Sequence, residues 1–179
     1  TGEMDYIASR MFEIVKRNTD VGSMNVYILN SQNELEVAYS SNNRTDKISI
    51  NNIMFDHLLN INRSVIIHSQ IEKEHDLSPV HDELEEFFVK TKSDGLFILN
   101  EGHNIFGLII LGKKSSGDEY KEYDYNVFVK LYSYFFVFGY YMRNISNKDV
   151  IAVVNREIRM ASQIITSIQE NIDRVKNPK

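Results

Sequence analysis

Ile105-Phe106-Gly107-Leu108-Ile109-Ile110-Leu111-Gly112, followed by Lys113-Lys114-Ser115-Ser116-Gly117, decides how this chain is read. The first eight residues form a short, nearly unbroken apolar run rich in β-branched side chains. The next five are turn chemistry. Together they predict a strand buried on both faces. Asp118 to Tyr123 then place acidic groups at the start of a long helix, where they suit the positive end of the dipole. From Tyr125 to Tyr141 that helix is apolar on nearly every side, and 9 of its 17 residues are aromatic. A helix apolar all round needs two partners. One face covers a sheet; the other is expected to meet a second helix, from another copy of the chain, through Phe128, Phe135 and Phe138.

Upstream, Met4, Ile7, Ala8, Met11, Phe12, Ile14 and Val15 recur at helical spacing and predict an amphipathic helix over about Glu3 to Asn18. Met24 to Leu29 and Leu35 to Ser40 read as strands joined by the polar loop Asn30 to Glu34. Lys47 to Ile50 reads as a short strand. Ile53, Phe55, Leu58, Leu59 and Ile61 predict a short helix capped near Asn51 or Asn52. Val65 to His68 is a further strand, Gln70 to Ser78 a loop, and Pro79 the start of a helix reaching about Thr91. Gly95 to Asn100 forms a hairpin with the strand at Ile105.

Beyond Asn144 the pattern changes. Ile151, Val154, Ile158, Ala161, Ile165, Ile168, Ile172 and Val175 are spaced 3, 4, 3, 4, 3, 4, 3. That is a heptad seam with Ile at every a position, which predicts a parallel coiled coil. An amphipathic helix folded back on the domain is the competing reading. Ser146 to Asp149 resembles a capping box, with Asp in place of Glu. A near-continuous helix with a kink is expected across residues 144–150. The sequence therefore divides into a domain over 1–145 and a coiled-coil signalling helix over 146–179.

Composition excludes several function classes. The chain has 179 residues, 42% hydrophobic and 25% charged, with net charge −5. No basic stripe suits nucleic acid. The absence of cysteine removes disulfides, thiol catalysis and zinc-thiolate sites. The most apolar segment, Tyr125 to Met142, carries Lys130 and falls short of the roughly 20 residues a membrane span needs. A cytoplasmic location fits. The ends, Thr1-Gly2-Glu3 and Asn177-Pro178-Lys179, read as those of a fragment cut from a longer protein.

No catalytic constellation is visible: there is no G-x-S-x-G elbow, P-loop or G-x-G-x-x-G. His75-Asp76 and His81-Asp82, beside Glu74 and Glu83, have the residue types of a metal site but not its spacing, and read as a solvated charged surface. His68 closes an apolar strand. It reads either as a pocket contact or as a hydrogen-bonded, half-buried histidine. A pocket is expected between the sheet and residues 50–93, with Phe55, His68, Phe87 and Phe97 as its lining. The same aromatic side chains also read as plain core.

The order of elements resembles the GAF domain, a regulatory module of signalling proteins. Gly95-Leu96-Phe97-Ile98-Leu99, then Ile105 to Lys113, then Tyr120, Tyr123 and Asp124 carry the resemblance, which spans about Met4 to Ile145. The PAS domain is similar in architecture. The resemblance implies an α+β fold: an antiparallel sheet, terminal helices on one face, and middle segments closing a pocket on the other. It implies a bacterial sensory domain that is no enzyme, dimerises through its terminal helices, and passes its state to a C-terminal output domain. Whether a ligand or cofactor binds stays open, and a ligand-free dimerisation scaffold is the alternative. The N-K-F-D-E motif of cyclic-nucleotide-binding members is absent, as are the cysteines of bilin-attaching and methionine sulfoxide reductase members. Arg156 to Ile164 is similar to the linker helix before PP2C-type phosphatases; Ala161, Ile164, Ser167 and Ile168 fit that pattern, while Ile165 and Glu170 depart from it. A phosphatase, kinase or cyclase is thus the implied output.

Overall fold

The computed structural model describes residues 2–143 and 148–176, with the side chains of 3, 148–154 and 173–176 outside it. The elements run α1 (Gly2–Thr19), β1 (Met24–Leu29), β2 (Glu34–Ser40), β3 (Lys47–Ser49), α2 (Ile53–Asn60), β4 (Val65–Ile67), α3 (His81–Thr91), β5 (Ser93–Glu101), β6 (Asn104–Gly112), α4 (Glu122–Arg143) and α5 (Lys148–Lys176). Two 3-10 segments, His68–Gln70 and His75–Val80, lie between β4 and α3. The second holds Pro79, so α3 opens at His81 rather than at the proline.

The six strands form one antiparallel sheet in the order β3-β2-β1-β6-β5-β4. Period-two alternation sorts its side chains into two cores. Phe97, Leu99, Ile109 and Leu111 join α1, α4 and α5 on one face. Tyr27, Leu96, Ile98, Leu108 and Ile110 join α2, α3 and the 3-10 segments on the other. The fold is α+β, with the terminal helices on one side and the middle of the chain on the other, as the resemblance implies. Small residues let layers approach: a methyl group on Gly139 of α4 would meet Leu99 Cδ1 of β5 at 2.4 Å.

The start of α4 is fixed by three linked contacts. Lys121 N–H donates to Asp124 Oδ2 at 2.8 Å, one half of a capping box. Lys114 Nζ pairs with the same carboxylate at 3.0 Å. The buried Tyr120 hydroxyl donates to the Gly112 carbonyl. The Gly112, Tyr120 and Asp124 pattern is therefore a clamp tying the end of β6 to the first turn of α4.

Two expectations change at the C-terminal end. α5 does not prolong α4. It returns along α4 in the opposite direction, so that the Tyr123 hydroxyl near the start of α4 donates to Gln169 Oε1 at 3.3 Å. The second helix that aromatic α4 requires is thus supplied by the chain itself. Phe128 and Phe135 are 0% exposed and Phe138 2%, all inside this core rather than on a surface open to another copy. The described part of the heptad seam behaves likewise: Ile158, Ala161 and Ile165 are buried in the core formed with α1 and α4. Ile168 and Ile172 are partly buried. The side chains of Ile151, Val154 and Val175, and residues 144–147, lie outside the described residues.

Candidate functional site

The face covered by α2 and α3 carries three of the four expected lining residues, Phe55, His68 and Phe87, but it is filled. Met54, Leu58 and Leu84 are 0% exposed, and Phe55 and Phe88 1%. A ladder of rings crosses this layer. Phe55 meets Phe87 edge-on at 6.2 Å, Phe87 meets Phe88 at 5.9 Å, and Phe88 stacks on His68 at 5.0 Å. Edge-to-face and offset contacts at these distances suit the ring quadrupoles. Phe55, Phe87 and His68 are therefore brought together, through Phe88. Phe97 is not. It lies on the other face of the sheet against Phe128 (5.7 Å) and Phe135 (5.0 Å). The reason is parity, since β5 turns Leu96 and Ile98 toward α3 and Phe97 toward α4.

Two recesses open beside this ladder, one at Phe87 and one at His68. The first, about 520 Å³, lies between β3, the start of α2 and one side of α3, with Phe87 and Ile48 as its apolar lining. Its wall is a polar network. Arg44 Nε and Nη2 donate to the Asp46 carboxylate at 3.1 and 3.0 Å, and Nη1 donates to the Thr91 carbonyl at 2.5 Å. The Tyr27 hydroxyl, rising from the buried sheet, donates to Asp46 Oδ1 at 2.8 Å. Burial, reinforced by that carboxylate, pushes the Tyr27 pKa well above its ordinary value. For Asp46, burial alone would raise the pKa, but the Arg44 and Tyr27 hydrogen bonds outweigh it and hold the carboxyl below the usual range. Lys47 and Lys90 bring positive charge to the recess, and Glu83 and Glu86 negative charge. At the far rim Asn52 caps α2 by accepting the Met54 N–H at 3.0 Å.

The second recess, about 390 Å³, is lined by His68, Ser69, Glu72, Lys73, Glu85, Asp94, Glu119 and Tyr120. His68 is held from both ring nitrogens. Nδ1 donates to Asp94 Oδ1 at 3.1 Å and Nε2 to the Glu85 carboxylate at 2.9 Å. Ionised carboxylates only accept, so both contacts are satisfied together only when both nitrogens carry protons, and this setting favours the imidazolium. Partial burial opposes that charge, but the two carboxylates outweigh it and the pKa is raised. Asp94 reaches the ring because it is a β-bulge: Ser93 pairs with Gly112 and Gly95 with Leu111, leaving Asp94 with no residue opposite. Bulges of this kind re-aim a side chain.

The remaining histidines stand at the surface. His81 bonds Glu72 at 2.5 Å and Asp82 at 2.9 Å, and these hydrogen bonds raise its pKa to about 9. Among the described residues no three His, Asp or Glu side chains form a group able to hold a metal ion. Sequence reading passed over Glu85, Asp94, Tyr27, Arg44 and Asp46. Nothing short-range marks them, because their partners are separated by 17 to 47 residues except for the Arg44–Asp46 pair.

No protein-family model matches the sequence, and no curated protein matches it. Solved structures do. The chain is similar to a GAF domain/HD domain protein from Geobacter sulfurreducens, with TM-score 0.53 and 8% identity over 79% of this chain and 95% of that one. It is also similar to the GAF domain from Acinetobacter phosphoenolpyruvate-protein phosphotransferase, with TM-score 0.48 and 10% identity over 83% and 98% of the two chains. A third similarity is to the blue-light-absorbing form of the PixJ GAF domain from Thermosynechococcus elongatus, with TM-score 0.45 and 14% identity over 94% and 92%. The first of these, with the six-stranded sheet and its two helical layers, establishes that this chain has a GAF-like fold.

Proposed function

We propose that the chain is a regulatory sensory domain whose stimulus is a small molecule taken up in the recess between β3, α2 and α3. The observation that carries this reading is a recess of small-molecule size, on the middle-segment face of a GAF-like fold, walled by the Arg44–Asp46–Tyr27 network. Its mixed charge favours a ligand with both an anionic and a cationic or hydroxyl group. The signal leaves through the terminal helices. Two copies associate there, and a phosphatase, kinase or cyclase beyond Lys179 receives the change. Because Ile158, Ala161 and Ile165 are buried against α1 and α4, coiled-coil pairing of α5 requires its release from the domain. The event is then an exchange between two packings of one helix.

A second reading is favoured by the filled core beneath α2 and α3: a ligand-free scaffold that only holds copies together. Native mass spectrometry of the purified chain separates the two. The sensor reading expects extra mass that is retained by the natural chain and lost in Arg44→Ala. A bare chain that also shows no thermal stabilisation with any of a panel of amino acids, nucleotides and organic acids would overturn it.

A further inference from the structure

α1 and α5 lie side by side, with Ile14 and Ile158 buried between them. Above these two residues runs an open groove of about 500 Å³. Arg10 and Arg17 line one wall and Arg159 the other. Arg10 and Arg17 are seven residues apart, two turns, so they lie on one side of α1 about 10 Å from each other. None of the three forms an ion pair among the described residues; the one contact of Arg10 is the Tyr6 ring at 6.0 Å. Arg44, Arg63 and Arg143, by contrast, each hold a carboxylate. In a chain of net charge −5, three guanidinium groups with no carboxylate partner among the described residues stand together at one groove.

Ser162, Gln163 and Ser167 add hydroxyl and amide donors to the arginine wall on α5. Each guanidinium offers five N–H donors in a planar fork that matches a carboxylate or phosphate edge. Glu13 and Glu170 also line the groove, which leaves three positive against two negative side chains. That balance sets the charge of the guest. It suits a compact anion of one or two charges and rejects a nucleic acid backbone.

We propose that this groove is a binding site for a compact dianion, a phosphomonoester or a dicarboxylate, which bridges Arg10 or Arg17 of α1 to Arg159 of α5. Such a guest binds only when α5 lies against α1. By linkage it stabilises that arrangement in proportion to 1 + [L]/Kd. The site is separate from the recess beside Arg44 and does not depend on the reading of that recess.

Hydrogen exchange of the intact chain tests the proposal, with phenyl phosphate and succinate as probes and sodium chloride at matched ionic strength as the control. At a probe concentration ten times Kd, backbone amides of residues 155–172 should exchange about tenfold more slowly. Arg17→Gln with Arg159→Gln should lose the protection; Arg156→Gln, on the same helix but outside the groove, should keep it. Protection by one probe alone identifies the guest as phosphate-like or dicarboxylate-like. Protection by neither, protection equal to that of chloride, or protection that survives the double substitution would overturn the site. So would a native mass spectrum in which the protected form is a dimer without bound probe. Amides of residues 47–52 and 83–91 report on the Arg44 recess in the same experiment, so failure there is read separately.

Discussion

His68 shows how one side chain can join elements that are far apart in sequence. Its ring links the end of β4 to α3 through Glu85 and to the bulge of β5 through Asp94. Because its pKa is raised in the folded chain, the protonated ring stabilises the fold. The sign follows directly. The contribution is complete below about pH 6.5, the unfolded value, and is lost as pH rises through the higher folded value. His81 gives a pH dependence of the same sign up to about 9, but it is exposed and screened by salt. Thermal melts in 0.5 M salt should therefore place His68→Gln below the natural chain at pH 6, by on the order of 2–4 °C for a chain of this size. The gap should narrow as pH rises through the raised folded value of His68. A constant gap would mean that the ring acts by packing on Phe88 alone. At this scale the sequence marked His68 as either pocket contact or satisfied histidine. It hid the satisfying groups, because a bulge at Asp94 is a property of two strands and cannot be seen in one.

At the level of elements, α5 is the instructive case. A spacing of threes and fours identifies which face of a helix is buried. It does not identify what buries it. Ile158, Ala161 and Ile165 are indeed the inward face of α5, and the surface opposite them belongs to α1 and α4 of the same chain. Aromatic α4 carries the same lesson, since its two-sided apolar character correctly demanded two partners. Ala161 is 0% exposed at this contact, so Ala161→Glu would force a carboxylate into an apolar seam. The helix escapes that cost, about 3 kcal/mol, by leaving the domain. Amides of residues 155–172 should then exchange about 100-fold faster, while those of β5 and β6 stay protected. Uniform acceleration across the sheet would show instead that α5 is inseparable from the core. α2 was easier to read, because a short helix with a clear cap at Asn52 announces its own start, whereas Pro79 lies in the 3-10 segment ahead of α3 and drew the expected start of that helix two residues early.

For the molecule as a whole, one sheet serves two cores. Leu96 and Ile98 belong to one and Phe97 and Leu99 to the other, on the same few residues of β5. α5 can leave the edge of its core with the sheet intact, but neither core can be lost as a whole without exposing the strands that carry the other. Urea unfolding followed by tyrosine fluorescence, weighted toward α4, and by far-UV circular dichroism should therefore give coincident transitions. Separate midpoints would mean that the two layers are independent. The α+β order was legible because β1, β4, β5 and β6 hold short apolar runs and most strands are closed by turn residues. The recess beside Arg44 was not, because it is built from a loop, a strand edge and one flank of α3 that only folding brings together. The antiparallel return of α5 has one more consequence, which is a matter of length. Twenty-nine residues of helix, Lys148–Lys176, are about 43 Å long. Swinging that rod about its first turn, from lying along α4 to continuing it, would carry the far end through about 85 Å, twice its length. A few buried side chains at Ile158, Ala161 and Ile165 thus set where anything fastened to the end of this helix can reach.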